Sequence, residues 1–137
     1  MKLIEWINGK TKLNKTTFDE FQNNIKSAID EINTVTKTTA KYSSDIFSKV
    51  DINAISTKNG VTQVTFRGLT KAKISNNSAI ISGLPEILQS TTAIIGISDS
   101  EYALGTSTWA YLNGTNILSG DISANKWIHI DVMYFSK

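Results

Sequence analysis

The chain has 137 residues, 40% of them hydrophobic, with 14 basic and 12 acidic groups for a net charge of +2. That is room for one ordinary domain. The absence of cysteine excludes disulfides, thiolate zinc sites and thiol catalysis, and the single histidine, His129, excludes a polyhistidine metal site.

At the N-terminus the apolar run after Lys2 breaks at Glu5, so no secretory signal peptide is expected. No run reaches the ~18 apolar residues of a spanning helix, so no membrane insertion is expected. Trp6 precedes a turn at Asn8-Gly9. Residues 1–49 read as an N-terminal attachment segment with a helix over about 16–36 and then a linker. Thr17-x-x-Glu20 fits a capping box, with Asp19 and Glu20 in the first turn. Phe18, Phe21, Ile25, Ala28, Ile32 and Val35 follow at alternating spacings of three and four. This is a heptad seam, with Phe18, Ile25 and Ile32 at a. A helix packed on its own domain and a parallel coiled coil both fit. In the coiled-coil case, isoleucine at a, with Ile29 widening the stripe, favours three strands, a homotrimer, over two.

Residues 50–137 read as a mainly-β head, an antiparallel sandwich or small barrel of seven or eight short strands. Asn59-Gly60 and Asn113-Gly114 lie between β-prone runs and mark hairpins. Ala72-Lys73-Ile74 and Ala79-Ile80-Ile81 flank a turn at Asn76-Asn77, and Thr92 to Ser98 forms a further strand. The last strand, from Trp127 to Phe135, alternates. Ile128, Ile130, Val132 and Tyr134 share one face, and Trp127, His129, Asp131, Met133 and Phe135 the other. The first set suits a core. The second mixes aromatic, ionisable and apolar groups, which suits a subunit interface or a ligand surface.

No phosphate-binding loop, nucleophile elbow or zinc-protease motif is present, so neither catalysis nor a cofactor or metal is expected. Arg67 is the only arginine; it reads as a solvated strand residue able to pair with a carboxylate, and bidentate nucleic-acid recognition is not expected. His129-x-Asp131 is the one polar constellation that stands out. Two residues apart on a strand, the side chains lie within ~7 Å on one face. Asp131 would orient the imidazole and keep it partly charged, and the pair could hold vicinal sugar hydroxyls. Trp109 and Trp127 could supply a flat wall for sugar C–H groups.

Trp6-Ile7-Asn8-Gly9-Lys10-Thr11-x-Leu13-Asn14, followed by Phe21-Gln22-Asn23-Asn24-Ile25 and Ala28-Ile29, resembles the opening of small tail or baseplate proteins of phages infecting Gram-positive bacteria. The stretch from Asn59-Gly60-Val61 through Ile80-Ile81-Ser82-Gly83-Leu84-Pro85 to Trp127-Ile128-His129-Ile130-Asp131 is similar to the head domains of trimeric receptor-binding proteins of lactococcal-type phages. The resemblance implies a virion protein: a homotrimer whose helical N-terminus joins other tail or baseplate proteins and whose β-barrel head binds host cell-surface saccharide. It also implies a saccharide role for a His-x-Asp pair near a Trp, which here is His129 and Asp131. Residues Val132 to Lys137 hold neither the Trp nor the Arg that follows in that pattern.

Overall fold

The computed structural model describes residues 15–32, 34–103 and 105–137. The Trp6–Asn14 motif and the turn expected at Asn8-Gly9 lie outside the described residues, as does the side chain of Ile32.

Helix α1 spans Lys15–Ile32. It begins ahead of Thr17, which therefore lies inside the helix and not at its cap. Asp19 instead accepts from Lys15 one turn back, at 2.6 Å. At the other end the Thr34 hydroxyl donates to the Asp30 carbonyl at 2.9 Å. Val35, expected on the helical seam, opens strand β1 opposite Thr57. Consecutive β-branched residues, Val35-Thr36, favour extended backbone at this point.

The stretch expected to be a linker carries β1 (Val35–Lys37), β2 (Lys41–Tyr42) and the start of β3 (Phe47–Thr57). The head thus begins near Thr34 and not at residue 50. Strands β4 (Val61–Thr70), β5 (Ser78–Ser82), β6 (Thr91–Ser98), β7 (Thr106–Asn113), β8 (Asn116–Ser119) and β9 (Trp127–Phe135) follow. Ala72-Lys73-Ile74 is not a strand: only Ile74 pairs, in an isolated bridge with Ile122.

Both Asn-Gly hairpins form, with geometries the dipeptide alone did not specify. At the first, the Gly60 amide donates to the Thr57 carbonyl and only Gly60 has positive φ, +77°. This is a type I turn over Lys58-Asn59 closed by a left-handed glycine. At the second, Asn113 pairs with Asn116 as a strand residue, and Gly114, at φ +58°, is the first residue of a two-residue loop. Glycine at that position, with Thr115 at negative φ, is the pattern of a II′ turn.

The strands form one antiparallel sheet in the order β1-β3-β4-β9-β6-β7-β8-β5-β2. Its two edge strands are consecutive in the chain, joined only by residues 38–40. Four Cα steps reach at most ~14 Å. Nine flat strands would separate the edges by ~38 Å. The sheet therefore curls on itself, and the described residues form a mainly-β half-barrel with one helix. Between the two expected architectures, the single curled sheet is the barrel-like one.

Alternation decides which side is inside. Along β4, Thr62, Val64, Phe66, Gly68 and Thr70 are buried and every intervening residue is partly open. On β9 the buried set is Ile128, Ile130 and Tyr134, with Val132 half-buried. They meet Ile95, Ala110, Leu112, Ile117, Ile80 and Ile81 in one core. Phe47 and Phe66 pack edge to face, 5.1 Å between centroids. Both rings cover Gly68, where an added Cβ would lie 2.7 Å from the Phe66 ring.

Candidate functional site

The outward face of β3, β4, β9 and β6 carries the expected site residues, and pairing register fixes their order. Asp51, Arg67, His129 and Gly96 form one row across the four strands. One row along lie Leu69, Trp127 and Ser98. On the other side lie Asn53, Thr65 and Asp131. Trp127, His129 and Asp131 are therefore neighbours on one face, as the period of two requires. Trp109 is not beside them. It pairs with Ile94 on β7, beyond β6, and so stands about two strand spacings, ~10 Å, from β9.

Bonding within the face differs from the expectation. Asp131 accepts from Gln63 Nε2 at 3.3 Å. His129 Nε2 lies 3.4 Å from Ser98 Oγ. Burial, and then the neighbouring Arg67 guanidinium, hold the imidazole below its ordinary range, with Glu101 offsetting part of this. His129 is thus a neutral ring at pH 7, not one kept charged by Asp131. Gly96 packs directly beside it: an added Cβ there would be in ordinary contact, 3.6 Å from His129 Cβ.

Arg67 is the hub. It reaches Asp51 Oδ2 at 3.2 Å across β3 and Glu101 Oε1 at 3.7 Å on the β6–β7 loop. Its Cζ lies 5.0 Å from the centroid of the Tyr102 ring. Arg67 is therefore an ion-paired and stacked group, not a freely solvated one. The loop is tied down elsewhere too. Lys126 pairs with Asp99, and the Ser98 hydroxyl donates to the Ser100 carbonyl.

Sequence reasoning missed Asp51, Ser98, Glu101 and Tyr102. The Asp51–Arg67 pairing was within reach, because it continues the register that the Asn59-Gly60 hairpin sets. Glu101 and Tyr102 were not, because a loop has no period that says where it folds back.

Where β9 runs on towards Phe135, it separates from β6, whose pairing with it ends at Gly96 and His129. The opening is a groove of about 410 Å³ lined by Leu88–Thr91 and Met133–Phe135. Of its lining, Leu88, Met133 and Phe135 are exposed. The outward face is thus polar and aromatic at one end and apolar at the other.

Among the described residues, no group of three His, Cys, Asp or Glu side chains could hold a metal ion. No helix among them is long and apolar enough to cross a membrane. No family model matches the chain, and no curated protein or solved structure matches it.

Proposed function

We propose that the protein is a host-attachment component of a phage tail or baseplate. In this reading it is a non-catalytic homotrimer joined by α1, carried in the virion. Its N-terminal segment joins other tail or baseplate proteins, and its β heads bind host cell-surface saccharide. The observation that carries the reading is the state of α1. Phe18, Phe21, Ile25 and Ile29 are 49%, 42%, 44% and 51% exposed on an apolar stripe. The helix is held to the head by polar contacts: Lys58 pairs with Glu31, and its amide donates to the Thr34 carbonyl. Burying the exposed half of each side chain against sister helices returns about 1 kcal/mol each. An assembly helix on an antiparallel head fits a multivalent binder, whose weak single sites gain strength through avidity.

The outward face supports the saccharide half of the reading. It combines carboxylates, hydroxyls, a neutral imidazole and aromatic rings, the groups that hydrogen-bond and stack on sugars. The loop acids Glu86, Asp99, Glu101 and Asp121 are each ion-paired with a lysine or arginine.

The test joins light scattering with binding to purified cell-wall polysaccharide before and after periodate, which cleaves vicinal diols. A trimeric mass and binding abolished by periodate are expected. A monomeric mass, or binding that survives oxidation, would overturn the proposal. A second reading, a structural adaptor without its own ligand, is favoured by the exposed apolar end of the face, which suits a subunit contact. It predicts a trimer that ignores cell-wall material altogether.

A further inference from the structure

We propose that Tyr102 is the aromatic platform of the saccharide site, positioned by Arg67, and that the site takes uncharged sugars in preference to phosphate- or carboxylate-bearing ones. The inference rests on the saccharide reading and assigns its stacking residue and ligand class.

Tyr102 is 80% exposed, the most open of the described large hydrophobic side chains. Such a ring on a loop would ordinarily sample many rotamers. Here it lies over the Arg67 guanidinium, leaving its other face to solvent. Arg67 is itself fixed by Asp51 and Glu101, and the loop by the Lys126–Asp99 pair. The contact favours one orientation of the ring before a ligand arrives, so less conformational freedom is lost on binding. A flat, open aromatic surface backed by a cation suits the C–H face of a pyranose.

Charge selects the ligand class. Arg67, the cation beneath the ring, is paired with two carboxylates and covered on one face by Tyr102, so its positive charge is already offset. Asp131 adds a third negative charge two residues beyond His129. Lys49, two residues from Asp51 on β3 and exposed, still leaves the face with more negative than positive charge. An anionic sugar meets net repulsion there. Neutral hydroxyls find acceptors, since a carboxylate offers about four lone-pair positions and an ion pair uses only some of them.

The experiment is saturation-transfer NMR and affinity measurement on the full chain. The probes are neutral hexose and N-acetylhexosamine oligosaccharides beside phosphorylated and uronic-acid analogues of equal length. The parent is expected to prefer the neutral set by roughly tenfold or more. Tyr102→Leu, which keeps apolar bulk but loses the flat ring, should weaken binding about tenfold, while Tyr102→Phe stays within about threefold. Both variants should melt with the parent, because the ring is exposed. Equal affinity of Tyr102→Leu and parent overturns the platform. Preference for the charged analogues, or cell-wall binding with no response to the neutral set, overturns the ligand class. Either outcome leaves the saccharide reading standing. A parent that binds neither the sugars nor cell-wall material removes that reading, and this inference with it.

Discussion

Gly60 shows how much one residue fixes. At φ +77° it sits where a β-branched side chain is strained, and an added Cβ would lie 2.6 Å from the Ser136 carbonyl oxygen. Its own carbonyl accepts from the Ser136 amide, so the turn also anchors the end of β9. Gly60→Val should cost at least about 1–2 kcal/mol from backbone strain alone. Thermal melting should show a clear fall, and an unchanged midpoint would count against the turn. His129 makes a second prediction at this scale. Its folded pKa lies below the ordinary 6.5, so the folded state resists the proton that the unfolded chain accepts. Its contribution to stability is full above pH 6.5 and declines as pH falls through the lowered folded value. Between pH 6.5 and ~5, where carboxylates begin to titrate, the parent's melting temperature should fall more steeply than that of His129→Gln. Parallel slopes would remove His129 from the polar cluster.

Among the elements, legibility followed period and length. Strand β9 was readable because nine residues alternate strictly, and its inner and outer faces match the register. Helix α1 was readable from its three-four spacing, although its end was misplaced: β-branched Val35 could continue the seam only on paper. Strands β1 and β2 were invisible, being three and two residues long and composed mainly of Thr, Lys and Tyr. Their existence depends on partners far along the chain, Val35 on Thr57 and Lys41 on Ser82. The site divides similarly. The row containing His129 follows from strand period, whereas its contact with Ser98 follows from the long-range pairing of β6 with β9, and its neighbours Glu101 and Tyr102 from a loop path. Helix α1 carries the assembly prediction. With Phe21 and Ile25 both replaced by Asp, a trimer would have to bury six unpaired carboxylates, each costing several kcal/mol. Light scattering should report monomer, while the melting of the head stays near that of the parent. An unchanged mass would place the subunit contact elsewhere, with the apolar end of the β9 face the first surface to test.

For the whole molecule, the decisive feature is that both edges of the half-barrel come from one short stretch, residues 35–42. The boundary of the folding unit must therefore lie before it. Two truncations separate the alternatives. A chain beginning at Thr34 keeps β1, β2 and all of β3 and, among the described residues, loses only a helix whose apolar stripe faces outward. It should fold, melt close to the full chain, and run as a monomer. A chain beginning at Val50, where the change in sequence texture falls, loses both edge strands and Phe47. That ring is 3% exposed and packed edge to face with Phe66. Removing such a buried aromatic costs about 3–5 kcal/mol by itself, a large share of the ~5–15 kcal/mol that stabilises a small domain. Lost edge pairing along β3 and β5 adds to it and bares strand edges that invite aggregation. Circular dichroism and solubility should show the longer fragment folded and the shorter one unfolded or aggregated. If the Thr34 fragment also binds cell-wall material with the single-site affinity of the full chain but without its avidity, recognition belongs to the half-barrel and multivalency to α1. A folded, soluble Val50 fragment would show instead that β1 and β2 are ornaments on a smaller sheet.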